Sequence, residues 1–236
     1  MEISDFRFQI SDLGWLPSLL QTADALFPTG AYAHSLGFEE SVRLGIVRDE
    51  ASLLAFLRDQ IVPAQRQQEL PYLRFAFAAR DLDEMCAIDR EISAWKLARE
   101  TREASVQLGV RRLKALRTIC DAPLLAEFER TIGEGRAGGH HLVVCALQGR
   151  VENVPLPAVL AASFYQSLAA VCAAALKLIR IGQDGCQRTL RAALEHAEPT
   201  VRASFAVARE DAGWFNPLLE IAAMRHERAD ERLFIS

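Results

Sequence analysis

The chain has 236 residues, of which half are hydrophobic and a quarter are charged, and its formal net charge is −4. This length supplies enough material for the core of one large domain or of two small ones. The slightly negative charge argues against a nucleic-acid-binding surface and against a general attraction to anionic membranes. We therefore expect a globular protein that binds neither nucleic acid nor membrane.

The first residues and the cysteines favour the cytoplasm. The segment MEISDFRFQISDLGW carries acidic side chains where a secretory signal peptide has basic ones, and no apolar segment follows it. The five cysteines are scattered and form no C-x-x-C pair, which indicates neither a disulfide framework nor a zinc finger. We expect most of them to be small, buried hydrophobic residues.

Hydrophobic spacing predicts the elements of the N-terminal half. Apolar and polar residues alternate between positions 6 and 10, so we interpret residues 1–12 as a short extended arm. Pro28 and Gly30 end the first predicted helix, and Pro63 bounds the third. The helices predicted in this half cover residues 13–23, 34–44, 52–61, 71–80, 82–97 and 99–120.

The C-terminal half is predicted to be helical as well. A glycine-rich segment at 133–139 precedes an apolar helix that begins at His140 and His141. Asp184 and Gly185 suit a bend between two later helices. The other helices predicted here cover residues 124–132, 156–181, 187–196, 200–209 and 218–232. Because no strand-like run and no long polar linker follows the arm, we expect an all-α fold, a single-domain bundle of roughly ten helices over residues 1–236.

The longest apolar stretch lies between Pro155 and Arg188. It is long enough for a bilayer crossing, which takes roughly 20 apolar residues. However, alanine dominates its composition, and Ser163, Gln166 and Lys177 interrupt it. A helix built of small residues is typical of the centre of a bundle, with neighbours close on every side. We therefore predict a central core helix rather than a membrane span.

His140, His141 and Cys145 are the candidate ligands for a metal ion. Cys145 lies one helical turn after His141, and imidazole and thiolate groups both bind transition metals. A stable site needs further ligands from elsewhere, and the sequence has no H-E-x-x-H motif. A structural role at the start of a helix is the alternative. A metal-binding protein or a metalloenzyme therefore stays open at this point.

Lys177 is unusual because alanine, leucine and isoleucine surround it. An unpaired buried ammonium costs several kcal/mol, so this side chain must be paired, reach the end of its helix, or line a wet surface or cavity. Gln183 follows six residues later and shares that surface only approximately.

Blocks of sequence resemble the UreF family of urease accessory proteins. The most specific block combines Leu19-Leu20-Gln21 and Asp24 with FPTGAYAHS at 27–35, Gly37 and Glu39. Later blocks lie at 102–109 (R..S...G), 139–141 (GHH), 177–188 (KL...GQ...QR), 217–227 (PLLEIAAMRHE) and 232–234 (RLF). They fall in order from residue 19 to the C-terminus, so the resemblance covers almost the whole chain. One departure is Cys186, which stands where the family commonly has glycine or a small residue.

This resemblance implies a non-enzymatic adaptor that helps to build the nickel centre of urease. Members of the family form homodimers and bind the accessory protein UreD, also called UreH. Through that complex they recruit the GTPase UreG to the urease apoprotein. The chain would hold no permanent cofactor, because nickel would pass in transit and GTP would be bound by UreG. We also expect apolar surface at the first helices if the protein dimerises.

The resemblance also assigns candidate roles to individual residues. Glu39, Lys177 and Gln183 are candidates for a surface or tunnel that faces UreG and UreD. Arg225 and His226 belong to a C-terminal segment, residues 213–236, that would recruit partners. The signature turn near the N-terminus comprises Pro28, Thr29, Gly30, Ser35 and Gly37.

Overall fold

The fold is described from a computed structural model, which covers residues 13–30, 35, 37–229 and 231–235. Within these residues there are α-helices and two π-helical segments but no strand, which confirms the all-α prediction. The helices are α1 Leu16–Ala23, α2 Phe38–Arg43, α3 Glu50–Phe56, α4 Val62–Ala64, α5 Leu70–Ala78, α6 Leu82–Trp95, α7 Arg99–Ile119, α8 Pro123–Gly133, α9 His141–Val151, α10 Leu156–Leu178, α11 Gly182–Leu194, α12 Ala197–Ser204 and α13 Pro217–His226. The expected arm at 1–12 lies outside the described residues.

Side-chain caps fix the start of several helices. The Asp49 carboxylate accepts from the Ser52 amide at 2.8 Å, and the Ser52 hydroxyl oxygen accepts from the Asp49 amide at 3.0 Å, which makes a capping box for α3. Asp81 accepts from the Glu84 amide at 2.8 Å and so caps α6, without a reciprocal bond to its own amide. Asn216 accepts from the first amides of α13. These caps satisfy amides that have no partner inside the helix.

Pro63 does not end a helix, contrary to the prediction. Residues 50–78 form one continuous helical run in which α3, α4 and α5 are joined by π-helical segments at Leu57–Ile61 and Gln65–Glu69. Each π segment immediately precedes a proline-containing turn, with Pro63 in α4 and Pro71 in α5. A proline lacks the amide that an α-helix needs, and the wider π register accommodates that loss. The chain therefore passes both prolines without a break.

Three other predicted boundaries are wrong for local reasons. Asp184 and Gly185 lie inside α11 and form no bend, because the chain turns earlier, where Gly182 has a φ of 69°. The helix predicted at 200–209 lies closer to the N-terminus, since α12 covers Ala197–Ser204 with Pro199 in its first turn, where a missing amide costs nothing. The last helix is also shorter than expected and ends at His226 instead of near residue 232.

The centre of the molecule is shared by α9 and α10. Residues 142–149 of α9 are all buried, and this helix packs mainly against α5 and α7. α10 is long and apolar enough to cross a membrane, but here it contacts α1, α2, α5, α9, α11 and α12. The expectation of neighbours on every side is nevertheless wrong for α10. Ala161, Tyr165, Ala173 and Lys177 recur at intervals of four or eight residues and form an exposed stripe.

A close crossing of α7 over the start of α9 depends on Gly109. A Cβ atom at this position would lie 2.8 Å from the His141 amide nitrogen and closer still to the Gly139 carbonyl oxygen. Real side chains do not approach the backbone so closely, so only glycine fits. This contact joins Gly109 of α7 to the Gly139-His140-His141 segment at the start of α9.

Candidate functional site

A cluster of two carboxylates and one histidine joins three helices near the C-terminus. His226 of α13 lies between Glu39 of α2 and Glu100 of α7, with both ring nitrogens 2.9 Å from a carboxylate oxygen. Arg232 contacts the other oxygen of Glu100 at 2.8 Å. The His226 side chain is 2% exposed, so water contributes little here. Each ring nitrogen thus faces one carboxylate, so His226 bridges α2 and α7 from its position on α13.

Glu39 also holds the chain beyond α13. Its carboxylate accepts hydrogen bonds from the Leu233 amide at 2.8 Å and from the Phe234 amide at 3.1 Å. Burial acts to raise the pKa of Glu39, but the hydrogen bonds from Leu233, His226 and Phe234 outweigh it and lower the pKa. Glu39 is therefore charged at neutral pH and fixes the C-terminal segment to α2.

Gly37 and Arg225 strengthen the contact between α2 and α13. Gly37 has a φ of 85°, and a Cβ atom there would lie 3.0 Å from the Ala223 amide nitrogen. Both the backbone conformation and the close approach of α13 therefore require glycine. Arg225 contacts the buried Glu40 at 3.0 Å, and Arg43 contacts the same carboxylate.

Lys177 lies beside the C-terminal segment, whereas Gln183 does not share its surroundings. The Lys177 ammonium is 5.0 Å from the centre of the Phe234 ring, within the range of a cation–π interaction. Both residues also line a cavity of about 440 Å³. Gln183 is exposed in the first turn of α11 and is not among the residues that line this cavity. The structure thus brings Lys177 and the Glu39 cluster together through residues 233–234.

The cavity continues towards a second one of about 200 Å³ between α10, α13 and the run 50–78. The two cavities share Glu69, Lys96, Thr101, Ser167 and Ala170 as lining residues. Lys96 and Glu69 form an ion pair at 3.1 Å at this junction. The described lining residues also include buried polar atoms without a hydrogen-bond partner, namely Gln65 Oε1, Trp95 Nε1 and His141 Nδ1. Such atoms are costly unless a polar occupant reaches them. We call the two adjoining cavities, in which these polar atoms interrupt a mostly apolar lining, the polar passage.

The signature turn forms part of the wall of this passage. Thr29 is buried and lines the larger cavity, and Gly30 adopts a φ of 79° beside the Arg111 guanidinium. Ser35 lies near the start of α2, where its hydroxyl oxygen accepts from the Glu39 amide at 3.4 Å. Pro28 lines a separate groove of about 810 Å³ between α1 and α7. Residues 31–34 and 36 lie outside the described residues.

His140 and its loop are held by internal hydrogen bonds. One oxygen of the buried Asp89 carboxylate accepts from the Gly138 amide at 2.6 Å and the Gly139 amide at 3.3 Å, and the other accepts from the His140 amide at 2.7 Å. The two ring nitrogens of His140 contact the hydroxyls of Ser93 at 2.7 Å and Ser105 at 3.0 Å. Burial lowers the pKa of His140 to about 4, so the ring is neutral at pH 7.

His141 and Cys145 form a separate pair. The His141 Nε2 atom lies 3.5 Å from the Cys145 sulfur. Burial lowers the pKa of His141 to about 3 and raises the pKa of the Cys145 thiol. His140 uses both ring nitrogens on serines, so the three candidate ligands do not converge. Among the residues that the structure describes, no group of three His, Cys, Asp or Glu side chains is placed to hold a metal ion.

Sequence reasoning missed Asp89 and Glu100, which organise these two regions. Asp89 lies on the buried face of α6 between Met85 and Ile92, where a charged residue is unusual. This buried position could have identified Asp89 from the sequence, because a buried carboxylate must accept hydrogen bonds from several donors. Glu100 gave no such signal, since an acidic residue in the first turn of α7 is expected from the helix dipole alone.

Comparisons with known proteins identify related sequences. The family model named UreF matches residues 47–194. The chain is 36% identical over 219 residues to the urease accessory protein UreF of Arthrobacter sp. (strain FB24), covering 93% of this chain and 96% of that protein. It is 34% identical to the protein of that name from Paenarthrobacter aurescens (strain TC1), covering 93% and 97% of the two chains. It is 33% identical to that from Actinobacillus pleuropneumoniae, covering 95% and 100%.

The matches to these three relatives extend over almost the full length of both chains. The matched family consists of accessory proteins and not of enzymes. The chain therefore belongs to the UreF family of urease accessory proteins.

Proposed function

We propose that this protein is a cytoplasmic, non-enzymatic adaptor for nickel insertion into apo-urease. It binds UreD and thereby recruits the GTPase UreG, so that GTP hydrolysis by UreG takes place beside the apoprotein. Holding UreG there raises the effective concentration of nickel at its destination. The observation that carries this proposal is the C-terminal segment, which is fixed to the body by Glu39 and presents apolar side chains outwards.

The apolar side chains of this segment form a surface suited to a protein partner. Exposed large hydrophobic residues are concentrated in α13 and the residues around it. They are Trp214, Phe215, Ile221, Met224, Leu233 and Ile235, with exposed fractions between 37% and 67%. Clusters of this kind on a globular protein are typical of interaction sites. Arg225 and His226 serve this surface indirectly, since their side chains tie α13 to α2.

The polar passage gives Lys177 a second role in the proposal. Lys177 lines the larger cavity next to Phe234, so a partner that moves the C-terminal segment also changes the mouth of the cavity. A partner can shift another partner's equilibrium only through contacts that differ between states. The segment at 233–234 supplies such a contact. Gln183 stays a candidate on the exposed start of α11, near Lys177 along the chain.

Homodimer formation is part of the same proposal. Two surfaces support it. The stripe of Ala161, Tyr165 and Ala173 on α10 is exposed and has small side chains on either side of the tyrosine. The groove between α1 and α7 exposes Leu20 by 62% and Leu26 by 91%. Apolar surface of this extent is expected at an interface between subunits.

Urease activation in a purified system tests the proposal. Apo-urease, UreD, UreG, nickel and GTP are combined with the wild-type chain or with Lys177→Ala, Gln183→Ala or Glu39→Gln. We expect each variant to fold and to activate less urease, because each removes a contact at the proposed partner surface or passage. The exposed Arg202→Ala on α12 is the matched control and should activate as the wild type does.

A pull-down separates the steps. The wild-type chain should retain UreD, and UreG only when UreD is present. Activation by the Lys177 and Gln183 variants at the wild-type rate would remove these two residues from the proposal. Retention of neither partner by the wild-type chain would refute the adaptor role itself.

A further inference from the structure

The chain has a pair of cysteines where α10 meets α11. Cys172 lies in the last two turns of α10 and Cys186 in the second turn of α11, 14 residues further along the chain. Cys186 is also the residue that departs from the sequence pattern of the family. Neither residue contributes to the proposed partner surface or to the lining of the two cavities described above.

The two side chains face each other. The Cys186 thiol donates a hydrogen bond to the Cys172 carbonyl oxygen at 3.5 Å, and the two thiol groups also hydrogen-bond each other. Cys172 is 1% exposed and Cys186 is 3% exposed. The helices that carry them pack closely against each other. Two sulfur atoms held in contact by packed helices need little backbone movement to form a bond.

We propose that Cys172 and Cys186 form a disulfide when the protein meets a hydroperoxide. The Cys186 thiolate attacks one peroxide oxygen and the O–O bond breaks, which gives a sulfenic acid and, with the thiol proton, one water. The Cys172 sulfur then attacks the sulfenic sulfur, the S–O bond breaks, and the leaving hydroxide takes the Cys172 proton. The two thiols are oxidised by two electrons, and hydrogen peroxide is reduced to two molecules of water.

The environment of the pair assigns the order of attack. Burial raises the pKa of Cys172 to about 12, and the neighbouring thiol adds to this shift. Burial also raises the pKa of Cys186, but a hydrogen bond from Cys172 stabilises its thiolate and opposes that shift. Cys186 therefore ionises before Cys172 and is the attacking group. Gly182 begins α11 one turn before Cys186 and has open space around it, whereas Gly185 is buried against Glu50 and Ile181.

The bond would tie together the two helix ends that carry Lys177 and Gln183. Cys172 lies five residues before Lys177, and Cys186 lies three residues after Gln183. Oxidation would therefore fix the geometry between these two ends. This inference does not depend on the adaptor role, because it concerns the chemistry of the isolated chain.

Mass spectrometry of the full-length chain tests the proposal. The folded protein is treated with hydrogen peroxide, and free thiols are blocked with N-ethylmaleimide in denaturant. We expect a mass loss of about 2 Da and two fewer maleimide adducts than in the untreated protein. Trypsin should then release residues 151–177 linked to residues 181–188, and a reductant should separate the two peptides. The rate should rise with pH between 7 and 9, since the thiolate is the reacting form.

Variants decide between this pair and other thiols. In Cys172→Ser, Cys186 should stop at the sulfenic acid and be trapped by dimedone, whereas Cys186→Ser should leave Cys172 unmodified. Cys145→Ser is the control and should form the disulfide as the wild type does. A link to Cys86, Cys120 or Cys145, or a link that forms only in denaturant, would overturn the proposal.

Discussion

Replacing Asp89 by asparagine tests the interpretation of the Gly139-His140-His141 segment. Its carboxylate accepts three backbone amides, at 2.6, 2.7 and 3.3 Å. Asparagine keeps one side-chain oxygen but has an NH2 group in place of the other. That NH2 group would face backbone N–H donors of the loop and cannot accept hydrogen bonds from them. A hydrogen bond to a charged group contributes about 1.5–3 kcal/mol, and a buried donor left without an acceptor adds to the loss. We therefore expect Asp89→Asn to lower the free energy of unfolding by about 3 kcal/mol.

Thermal unfolding measures this loss directly. For a chain of this length, 1 kcal/mol corresponds to about 2–4 °C in Tm, so the variant should unfold roughly 6–12 °C below the wild type. Asp83→Asn is the matched control, because Asp83 lies on the same helix but its side chain is 81% exposed. Within the described part of the chain, its ion-pair partner is Arg136 at the surface. An exposed ion pair contributes about 0–1 kcal/mol. If the two variants unfolded at the same temperature, Asp89 would not organise the loop.

Three further outcomes follow from the close contacts, the buried histidine and the C-terminal cluster. Gly109→Ala should lower stability by about 1–3 kcal/mol in urea unfolding, because its Cβ would overlap the backbone of the loop, whereas Gly133→Ala, with open space around it, should change little. His141 has a pKa of about 3 when folded, so between about pH 6.5 and pH 4 only the unfolded chain takes up its proton and stability falls as pH falls. His141→Gln should remove about 1.4 kcal/mol per pH unit of that dependence; an unchanged slope would contradict the assignment. Glu39→Gln should speed hydrogen exchange of the two amides at 233 and 234, which the exposed Glu195→Gln should leave unchanged; equal exchange in the two variants would show that Glu39 does not hold the segment.

The helices were largely predictable because their apolar residues follow the helical period. α7 and α8 begin and end within two residues of the prediction, and α9 begins where it was predicted. The run 50–78 was not predictable, because Pro63 normally marks a boundary and a π-helical register leaves no sign in hydrophobic spacing. The exposed stripe of α10 was also missed, since alanine occupies both its buried and its exposed positions.

The candidate site, like the fold, was predictable from the sequence only in part. Family blocks identified Glu39 and His226 separately, but only the packing of α2 on α13 shows that they form one cluster. His140 and His141 are adjacent in sequence and suggested a shared ligand set. In the structure their rings bind different partners, because the chain changes from the loop to α9 between them. The proposed roles of Lys177 and Gln183 stay predictions, and the structure separates their surroundings.

The contact between α2 and α13 has a consequence for the synthesis of the protein. His226 and Glu39 are 187 residues apart, so the ribosome must add almost the whole remaining chain before they can meet. At 5–20 residues per second, this takes roughly 10–40 s. During that time α2 has no α13 to cover Gly37. A chain that stops before residue 217 would never supply this cover, so the N-terminal signature block completes its fold only after the last helix has emerged.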